Sequence, residues 1–399
     1  MRIAFFTDAF LPQINGVVTY ITETANRLVL NGHEVIIFAP KPKRGSRLDQ
    51  SSFLYKLILL PSLPAFVYPE ARITLPSLPR VLYNLRKFNV DLIHIQTPFS
   101  VGTEGLIAGK LLKIPIVTTF HSFYIDKPFL EDFKLDKLSE RLQNPLWKLY
   151  VSFYNLSDEV VCPTKIAQKE LHKYGLKKPC VFIPHGINLV AIKTGLQAEV
   201  SGIRQNLHLK SDDKVAIFTG RLAADKRIDL LIKVWKKVIL RIPNAKLIII
   251  GTGPNEEILK GMVNKFKLKG NVIFTGAIKR ENLIENGYLR IGQIAVSASK
   301  IENPSYSLLE EMAFGLPIVA FSMRGIPEIV NKENGMLVVP DDINSFAENV
   351  VKLFSDPVKL KKLSIGAKNK ALEFDLKHNI ESLEEIYSNL LKRKSRDNL

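Results

Sequence analysis

The chain repeats one pattern from its first residues, in which a short apolar run is followed by an amphipathic segment and then by another apolar run. Ile3–Phe6 is the first run, Val17–Leu30 has apolar residues at helical spacing and ends at Asn31-Gly32, and Glu34–Ala39 is the second run. A buried strand, a helix and a second buried strand in this order imply a parallel sheet. The sequence therefore predicts an α/β fold.

The same alternation continues along the chain and begins again in its second half. A chain of 399 residues exceeds what one hydrophobic core usually serves, so we expect two domains. The turn His185–Asn188 marks the predicted boundary, and residues 190–210 read as a linker because they show little periodicity. Further predicted strands are Asp91–Ile95, Pro115–Phe120, Ser157–Cys162, Cys180–Pro184, Lys214–Thr219, Lys246–Ile250 and Val272–Thr275.

Polar residues follow the first-half strands where each strand ends. In open parallel sheets ligands bind at the carboxyl ends of the strands, which places Asp8, Gln96, Thr97 and His121 on one edge. His121 has an alternative role as a hydrogen-bonded core histidine.

The stretch Ser299–Pro317 is predicted to turn into a helix. Asn303 suits an N-cap and Pro304 the first helical position, and the helix ends at Gly315. Ser305, Tyr306 and Ser307 then fall in the first turn. A helix start presents free backbone N–H groups and a partial positive charge, which can bind a phosphate.

Two glutamates flank this predicted helix start. Glu302 lies just before the cap and Glu310 two turns inside the helix. This spacing suits a ligand with phosphates between two groups of sugar hydroxyls, because carboxylates accept hydrogen bonds from hydroxyls. The alternative is an ordinary solvated helix start with surface glutamates.

A loop after the predicted strand Lys214–Thr219 carries two cations. Gly220 lets the chain turn close to a ligand, Arg221 offers a planar fork of donors, and Lys226 offers a point charge. Together these residues suit a diphosphate. Gly251 and Gly253, after the next strand, are expected to serve close packing, with close approach to a nucleotide as the alternative.

The paired glutamates, followed by Met312-Ala313 and Gly315-Leu316-Pro317, resemble the motif of retaining glycosyltransferases of family 4. The resemblance covers nearly the whole chain. It includes Leu11–Val17, His94–Pro98 with Gly102, Thr119–Ser122, the Arg221 and Lys226 loop, Arg324–Glu328 and Asn334–Pro340. The chain departs from many members at Asn188, Ser305 and Glu311, where Asp, Gly and Ala are common.

The resemblance implies the GT-B fold, with two Rossmann-like domains whose parallel sheets face each other across a cleft. Residues 1–188 would bind the acceptor, residues 189–375 would bind the nucleotide sugar, and a helix over about 376–399 would cross back to the first domain.

The resemblance also implies roles for individual residues. The expected catalytic residues are His121, Glu302, Arg221 and Lys226, with His121 and Tyr124 on the acceptor side. The expected donor-binding residues are Asn15, Gly16, Gly220, Arg221, Lys226, Glu302, Asn303, Pro304, Ser305, Tyr306, Ser307 and Glu310. Retention of anomeric configuration is implied as well. We expect no cofactor and no metal, since no Asp-x-Asp triplet stands beside a strand.

Composition restricts the partners. The net charge of +17 is spread over both halves, and no nucleic-acid-binding module is recognisable, so nucleic acid is not expected. A nicotinamide-dependent dehydrogenase is disfavoured too, because the glycine fingerprint is incomplete. Two cysteines, Cys162 and Cys180, exclude a disulfide framework and a thiolate zinc cluster, and they fit a reducing cytoplasm. The N-terminus becomes polar too soon for a signal peptide, and no run is long enough to span a membrane.

Three basic and apolar stretches of the first half bear on the acceptor. The first is Lys41–Lys56, with Lys43, Arg44 and Arg47. The second is Pro76–Phe88, with Val81, Leu82, Leu85 and Phe88 on one side and Arg80, Arg86 and Lys87 at its edge. The third is Leu146–Tyr154. Such stretches either lie on anionic lipid or are ordinary core-facing helices.

The first-half motifs are most similar to the branch of the family that glycosylates diacylglycerol. We therefore expect transfer of glucose from UDP-glucose to a lipid such as 1,2-diacylglycerol, by a cytoplasmic protein on the inner face of the plasma membrane. The alternatives are a mannosyltransferase acting on phosphatidylinositol or a soluble sugar, and a noncatalytic protein that binds sugar nucleotides. Oligomeric state is left open.

Overall fold

The structure is a computed structural model that describes residues 1–13, 15–43, 45–46, 48, 50, 53–65, 72–126, 136–303 and 305–397. It divides the chain into two compact units. The first unit contains Met1–Gly186 and Leu376–Leu399, and the second contains Ile187–Asp375.

The first unit is built on a parallel sheet of seven strands in the order β3-β2-β1-β6-β7-β8-β9, with a separate antiparallel pair, β4 and β5. The strands are β1 Arg2–Phe6, β2 Glu34–Pro40, β3 Lys56–Leu60, β4 Ser62–Pro64, β5 Arg72–Thr74, β6 Leu92–Ile95, β7 Ile116–Thr119, β8 Glu159–Cys162 and β9 Cys180–Phe182. The helices before the unit boundary are α1 Gly16–Leu30, α2 Leu78–Lys87, α3 Ser100–Leu112, α4 Asp136–Asn155 and α5 Lys165–Lys173.

The second unit repeats the architecture with a parallel sheet in the order β12-β11-β10-β13-β14-β15. Its strands are β10 Lys214–Thr219, β11 Ala245–Ile250, β12 Val272–Gly276, β13 Ile294–Ser297, β14 Ile318–Phe321 and β15 Gly335–Val338. Its helices are α6 Leu189–Gln197, α7 Ser201–Asn206, α8 Ile228–Val238, α9 Glu256–Lys265, α10 Arg280–Ile284, α11 Tyr306–Ala313, α12 Ile326–Ile329, α13 Ile343–Ser355 and α14 Pro357–Leu372. The predicted α/β fold with two parallel sheets is confirmed.

The last helix, α15 Leu376–Asp397, belongs to the first unit and packs on α1. Tyr387 is fully buried, and its hydroxyl lies 2.6 Å from Nδ1 of His94 on β6. Burial lowers the pKa of His94 to about 3, so this imidazole is neutral at physiological pH. Glu384 adds a second contact, 2.9 Å from Nε2 of His33.

Two predictions about the chain near the domain boundary are wrong. Residues 190–210 contain most of helix α6, which buries Ile192 and Gly195, and all of helix α7. The expectation that the cysteines form no disulfide is wrong as well, because the structure joins the chain's two cysteines, Cys162 and Cys180, in a disulfide bond. Cys162 ends β8 and Cys180 begins the parallel neighbour β9, so strand pairing brings their Cα atoms within 6.4 Å across 18 residues of sequence.

The apolar sides of two basic stretches face the core. Val81 and Leu85 of α2 are buried in the first unit's hydrophobic core. In Leu146–Tyr154 the four buried side chains are Trp147, Tyr150, Val151 and Tyr154. The core-facing alternative therefore holds for these faces. In the remaining basic stretch, Lys41–Lys56, Arg44 and Arg47 lie outside the described residues. Within the described residues, no helix combines the length and the apolar character that crossing a bilayer requires.

Helix α3 lies close to the sheet because glycines face it. A Cβ built on Gly105 would stand 2.5 Å from the ring of Phe6, and one on Gly109 would stand 2.7 Å from Ile116. Gly261 on α9 offers a contrast, since a Cβ there would meet no atom within 4 Å.

We expect Gly105→Ala to lower the free energy of unfolding by about 1–3 kcal/mol, because the added methyl overpacks the contact with Phe6. The matched change Gly261→Ala is also inside a helix and should stabilise by about 0.5–1 kcal/mol through helix propensity alone. Urea unfolding followed by circular dichroism measures both. Equal effects of the two substitutions would contradict the close packing of α3.

Candidate functional site

At the edge of the first sheet where polar residues were predicted to gather, side chains form a hydrogen-bonded cluster around Asp8. Thr97 Oγ1 donates to Asp8 Oδ2 at 2.8 Å, and Ser100 Oγ and the Val101 N–H each donate to Oδ1 at 2.7 Å. Burial raises the pKa of the Asp8 carboxyl, and its hydrogen bonds with Val101, Ser100, Thr97 and Gly102 partly offset the rise. The carboxyl caps the start of α3, so its oxygens serve the fold.

His121 lies at the same edge, directly after β7. Its Nε2 is 2.8 Å from Gln96 Oε1, and its ring packs on Tyr20 and His185, with centroids 4.9 and 5.4 Å away. Burial first, and then the neighbouring His185 and His94, hold the pKa of His121 well below its usual range. The imidazole is therefore neutral and hydrogen-bonded. This agrees with the predicted position at the edge of the sheet and also with the alternative role as a hydrogen-bonded core histidine.

The Asn15-Gly16 turn starts α1. The Asn15 side chain accepts a hydrogen bond from the Val18 N–H at 3.0 Å, and both Asn15 and Gly16 are exposed. Tyr124, the other predicted acceptor-side residue, is partly buried, with its ring edge-on to Phe99 at 5.2 Å. Burial raises the pKa of Tyr124, so the phenol keeps its proton. The roles predicted for these residues stay predictions.

In the second unit the loop after β10 is held by backbone contacts. The Gly220 N–H donates to the Ile250 carbonyl at 3.0 Å, and the Leu222 N–H donates to the Thr252 carbonyl at 2.9 Å. Gly251 and Gly253 permit this approach, because a Cβ on either would collide with the backbone of Gly220 or Leu222. The packing role predicted for both glycines is confirmed.

Lys226 joins this loop to the stretch that follows β13. Its Nζ donates to Glu302 Oε1 at 2.7 Å and to the Ile301 carbonyl at 3.4 Å. Burial alone would lower the pKa of Lys226, but the charges of Glu302 and Asp225 outweigh it and raise the pKa above its usual value. The ammonium group therefore stays charged next to the predicted sugar-binding glutamate.

Asp225 is a site residue that the sequence analysis missed. It is 7% exposed and lies 3.8 Å from Arg221 and 3.5 Å from Lys226, between the two predicted diphosphate ligands. The sequence signal that could have identified Asp225 is its position directly before Lys226. The carboxylate holds both cations on one side of the loop.

The helix start is corrected by two residues. α11 begins at Tyr306 with Ser305 as N-cap, because Ser305 has extended backbone angles, φ −72° and ψ 118°. Asn303 is therefore not the N-cap, and the predicted Pro304 lies outside the described residues. Ser305 Oγ and Ser307 Oγ are 2.9 Å apart.

The later start also shifts both glutamates relative to the helix. Glu302 precedes the cap by three residues, and Glu310 is the fifth helical residue, not two turns inside. The predicted end is confirmed, since Phe314 is the C-cap and Gly315 follows with φ 82°.

Glu310 forms an ion pair that the sequence analysis did not anticipate. Nη1 of Arg280, the first residue of α10, donates to Glu310 Oε1. The Arg280 guanidinium also lies over the Tyr306 ring, 5.7 Å from its centroid. Arg280 follows the carboxyl end of β12, which was the sequence signal that could have indicated it.

The two predicted sugar-binding carboxylates thus have the same local arrangement. Glu302 and Glu310 are 8% and 4% exposed, and each contacts one cation. Carboxylate oxygens can accept further hydrogen bonds from hydroxyls. Among the described residues, no group of three or more His, Cys, Asp or Glu side chains is arranged to hold a metal ion.

Two glycosyltransferase family models match the chain, one in each half. The family model described as Glycosyltransferase Family 4 matches residues 14–190, and the model described as Glycosyl transferases group 1 matches residues 200–370. An alpha-monoglucosyldiacylglycerol synthase from Streptococcus pneumoniae is 29% identical over 324 residues, which are 80% of this chain and 71% of that protein. A GDP-mannose-dependent alpha-mannosyltransferase from Corynebacterium glutamicum is 24% identical over 351 residues, which are 88% of this chain and 79% of that protein.

Solved structures share the fold at low identity. Sucrose-phosphate synthase from Thermosynechococcus elongatus matches with a TM-score of 0.78 at 21% identity, covering 98% of this chain and 99% of that one. HepE from Anabaena, in complex with UDP-glucose, matches with a TM-score of 0.76 at 17% identity, covering 98% and 100%. The two family models together span most of the sequence, and the chain therefore belongs to glycosyltransferase family 4, with the GT-B fold.

Proposed function

We propose that the protein transfers glucose from UDP-glucose to a lipid acceptor such as 1,2-diacylglycerol, with retention of configuration and without a metal ion or cofactor. The observation that supports a nucleotide sugar as donor is the buried contact of Lys226 with Glu302, just before the start of α11. The alpha-monoglucosyldiacylglycerol synthases among the relatives support diacylglycerol as the acceptor.

The donor diphosphate would bind to the loop Gly220–Lys226. Departure of a nucleoside diphosphate leaves negative charge on phosphate oxygens, and Arg221 and Lys226 supply positive charge for it. Backbone N–H groups at the start of α11, near Ser305, add to this stabilisation. Since Asp225 and Glu302 already hold Lys226 in place, little reorganisation is needed when charge develops.

The carboxylates would bind the two sugars of the donor. Glu302 accepts from hydroxyls of the transferred hexose, and Glu310 accepts from the ribose. The other predicted donor-binding residues around them are Asn303, Pro304, Ser305, Tyr306 and Ser307 in the second unit and Asn15 and Gly16 in the first.

His121 and Tyr124 would serve the acceptor and the sugar. A neutral His121 suits hydrogen bonding to a sugar hydroxyl, because its imidazole keeps both a donor and an acceptor nitrogen. The front-face reaction that the family resemblance implies needs no enzyme nucleophile.

An exposed apolar surface of the first unit supports a lipid acceptor. Leu63 on β4 and Ile73 on β5 face each other across the antiparallel pair and are 55% and 52% exposed. Tyr83 on α2 is exposed as well, although the opposite side of that helix packs in the core. Arg80, Arg86 and Lys87 of α2 add positive charge, which would favour the anionic inner face of the plasma membrane from the cytoplasm.

A second candidate function is mannosyl transfer to phosphatidylinositol or a soluble sugar. It is favoured by the GDP-mannose-dependent mannosyltransferases that match the chain with coverage similar to that of the glucosyl relatives. A panel of nucleotide sugars offered with diacylglycerol micelles and with phosphatidylinositol, followed by mass spectrometry, separates the two. A mannosylated product without a glucosylated one would overturn the proposal.

We expect Lys226→Ala to lower kcat for glucose transfer about 100- to 1,000-fold, because the leaving diphosphate loses a preorganised cation. Glu310→Ala should raise the KM for UDP-glucose by at least about tenfold and leave Arg280 without its carboxylate. Lys237→Ala, an exposed lysine of α8, is the matched control and should behave as wild type. Circular dichroism confirms folding, and full activity of either site variant would refute the assignment.

We expect the full chain to co-sediment with vesicles that contain anionic phosphatidylglycerol and to dissociate as salt rises. The double substitution Leu63→Ser with Ile73→Ser should weaken this binding about tenfold or more, because it removes two exposed apolar side chains. Leu240→Ser is the control, since Leu240 is 80% exposed in the second unit. Equal loss in both variants, or no binding by the wild type, would count against the lipid surface.

A further inference from the structure

Arg280 joins two helices of the second unit at the predicted ribose-binding glutamate. It is the first residue of α10, and its Nη1 donates to Glu310 Oε1 on α11. The same guanidinium lies over the ring of Tyr306, 5.7 Å from its centroid. Tyr306 and Glu310 are four residues apart and therefore share one face of α11. One side chain thus contacts two residues of that helix at once.

The contact differs from an ordinary surface ion pair. Glu310 and Tyr306 are buried, whereas the Arg280 side chain is 33% exposed, so Arg280 reaches from the surface to a buried carboxylate. Exposed ion pairs contribute little because both side chains stay mobile. Here the buried helix face holds the carboxylate, and the aromatic ring restricts the plane of the guanidinium. The orientation of the Arg280 head group is therefore fixed from two sides.

The helices that carry these residues are held together by a third helix, α6. It packs against both α10 and α11. A Cβ on its Gly195 would collide with the carbonyl of Ile284, the last residue of α10, and with the ring of Phe314, the C-cap of α11. This close packing sets the distance that Arg280 has to bridge.

The contact leaves Glu310 able to bind a diol. The two oxygens of a carboxylate accept about four hydrogen bonds, so the bond from Arg280 does not exhaust its acceptors. The two ribose hydroxyls stand at a fixed spacing, and a carboxylate accepts from both only in a narrow range of orientations. A cation that fixes this orientation before the ligand arrives removes the loss of freedom that binding otherwise entails.

We propose that Arg280 is a positioning residue, which holds the Glu310 carboxylate in the orientation that binds the ribose hydroxyls of the donor, while the Tyr306 ring keeps the guanidinium in place. The proposal rests on the proposed function, in which Glu310 accepts hydrogen bonds from the ribose. Because Arg280 acts through Glu310, its loss affects only ligands that carry the hydroxyls.

Titration calorimetry on the full chain with UDP and 2′,3′-dideoxy-UDP tests this role, because the second ligand lacks only the two ribose hydroxyls. The wild type should bind UDP at least about tenfold more tightly. Arg280→Gln should weaken UDP binding about tenfold and change the affinity for 2′,3′-dideoxy-UDP less than about threefold. Equal weakening for both ligands would mean that Arg280 contacts the base or the phosphates directly, and it would overturn the positioning role.

Lys279→Gln is the matched control. Lys279 directly precedes Arg280 and is exposed, and its substitution removes the same charge, so both ligands should bind as they do to wild type. Glu310→Ala should lose the discrimination between the two ligands. The double variant of Arg280→Gln with Glu310→Ala should bind UDP about as weakly as Glu310→Ala alone, because both act on one interaction. Additive losses would contradict the proposal.

Arg280→Lys decides the question if Arg280→Gln does not fold. Lysine keeps a positive charge near Glu310 but has no planar group to lie over Tyr306. Its discrimination between UDP and 2′,3′-dideoxy-UDP should therefore fall at least about threefold. Discrimination equal to that of the wild type would overturn the proposal.

Failure of the proposed function gives a different result. A wild-type chain that binds UDP and 2′,3′-dideoxy-UDP equally would show that Glu310 does not bind the ribose, and the role of Arg280 would fall with it. GDP and 2′,3′-dideoxy-GDP repeat the comparison for the mannosyl alternative, and a wild type that binds neither UDP nor GDP would refute the whole donor site. A wild type that discriminates, together with Arg280 variants that discriminate equally well, would refute only the role of Arg280.

Discussion

The contact between Lys226 and Glu302 connects the two segments that carry most of the predicted donor-binding residues. One segment is the loop after β10 and the other is the chain between β13 and α11, and these strands are neighbours in the sheet. A buried ion pair of this kind adds little net stability, because desolvation offsets most of the attraction. Breaking it would leave a charge buried and unpaired, so it fixes the geometry of the two segments more than it stabilises the unit.

Opposite charges are distributed around this contact in a regular way. Asp225 lies near Arg221 and Lys226, and Arg280 contacts Glu310. The four charged residues predicted to bind the donor, Arg221, Lys226, Glu302 and Glu310, thus each lie next to an opposite charge. Glu311 differs from all of them, since burial next to two carboxylates favours its neutral form.

The first unit uses its polar residues differently. The Asp8 carboxyl caps α3, His94 contacts Tyr387 of the last helix, and His121 contacts Gln96. Most of these groups serve the fold, whereas the Asn15-Gly16 turn and the apolar side chains of Leu63 and Ile73 are exposed. This division agrees with a unit that presents a surface to a large acceptor.

The sequence by itself determined the alternation of strands and helices, the two parallel sheets and the family, because these depend on local periodicity and on motifs that are contiguous in the chain. It also indicated Glu302, Glu310, Arg221 and Lys226 as one group. Only the tertiary structure decided which groups meet: the Arg280 pair with Glu310, the Asp225 contacts, the Cys162–Cys180 disulfide and the burial of Glu311. The Arg280 pair and the disulfide join residues from different strands or helices, and the order of strands in a sheet, which brings them together, cannot be read from periodicity along the chain.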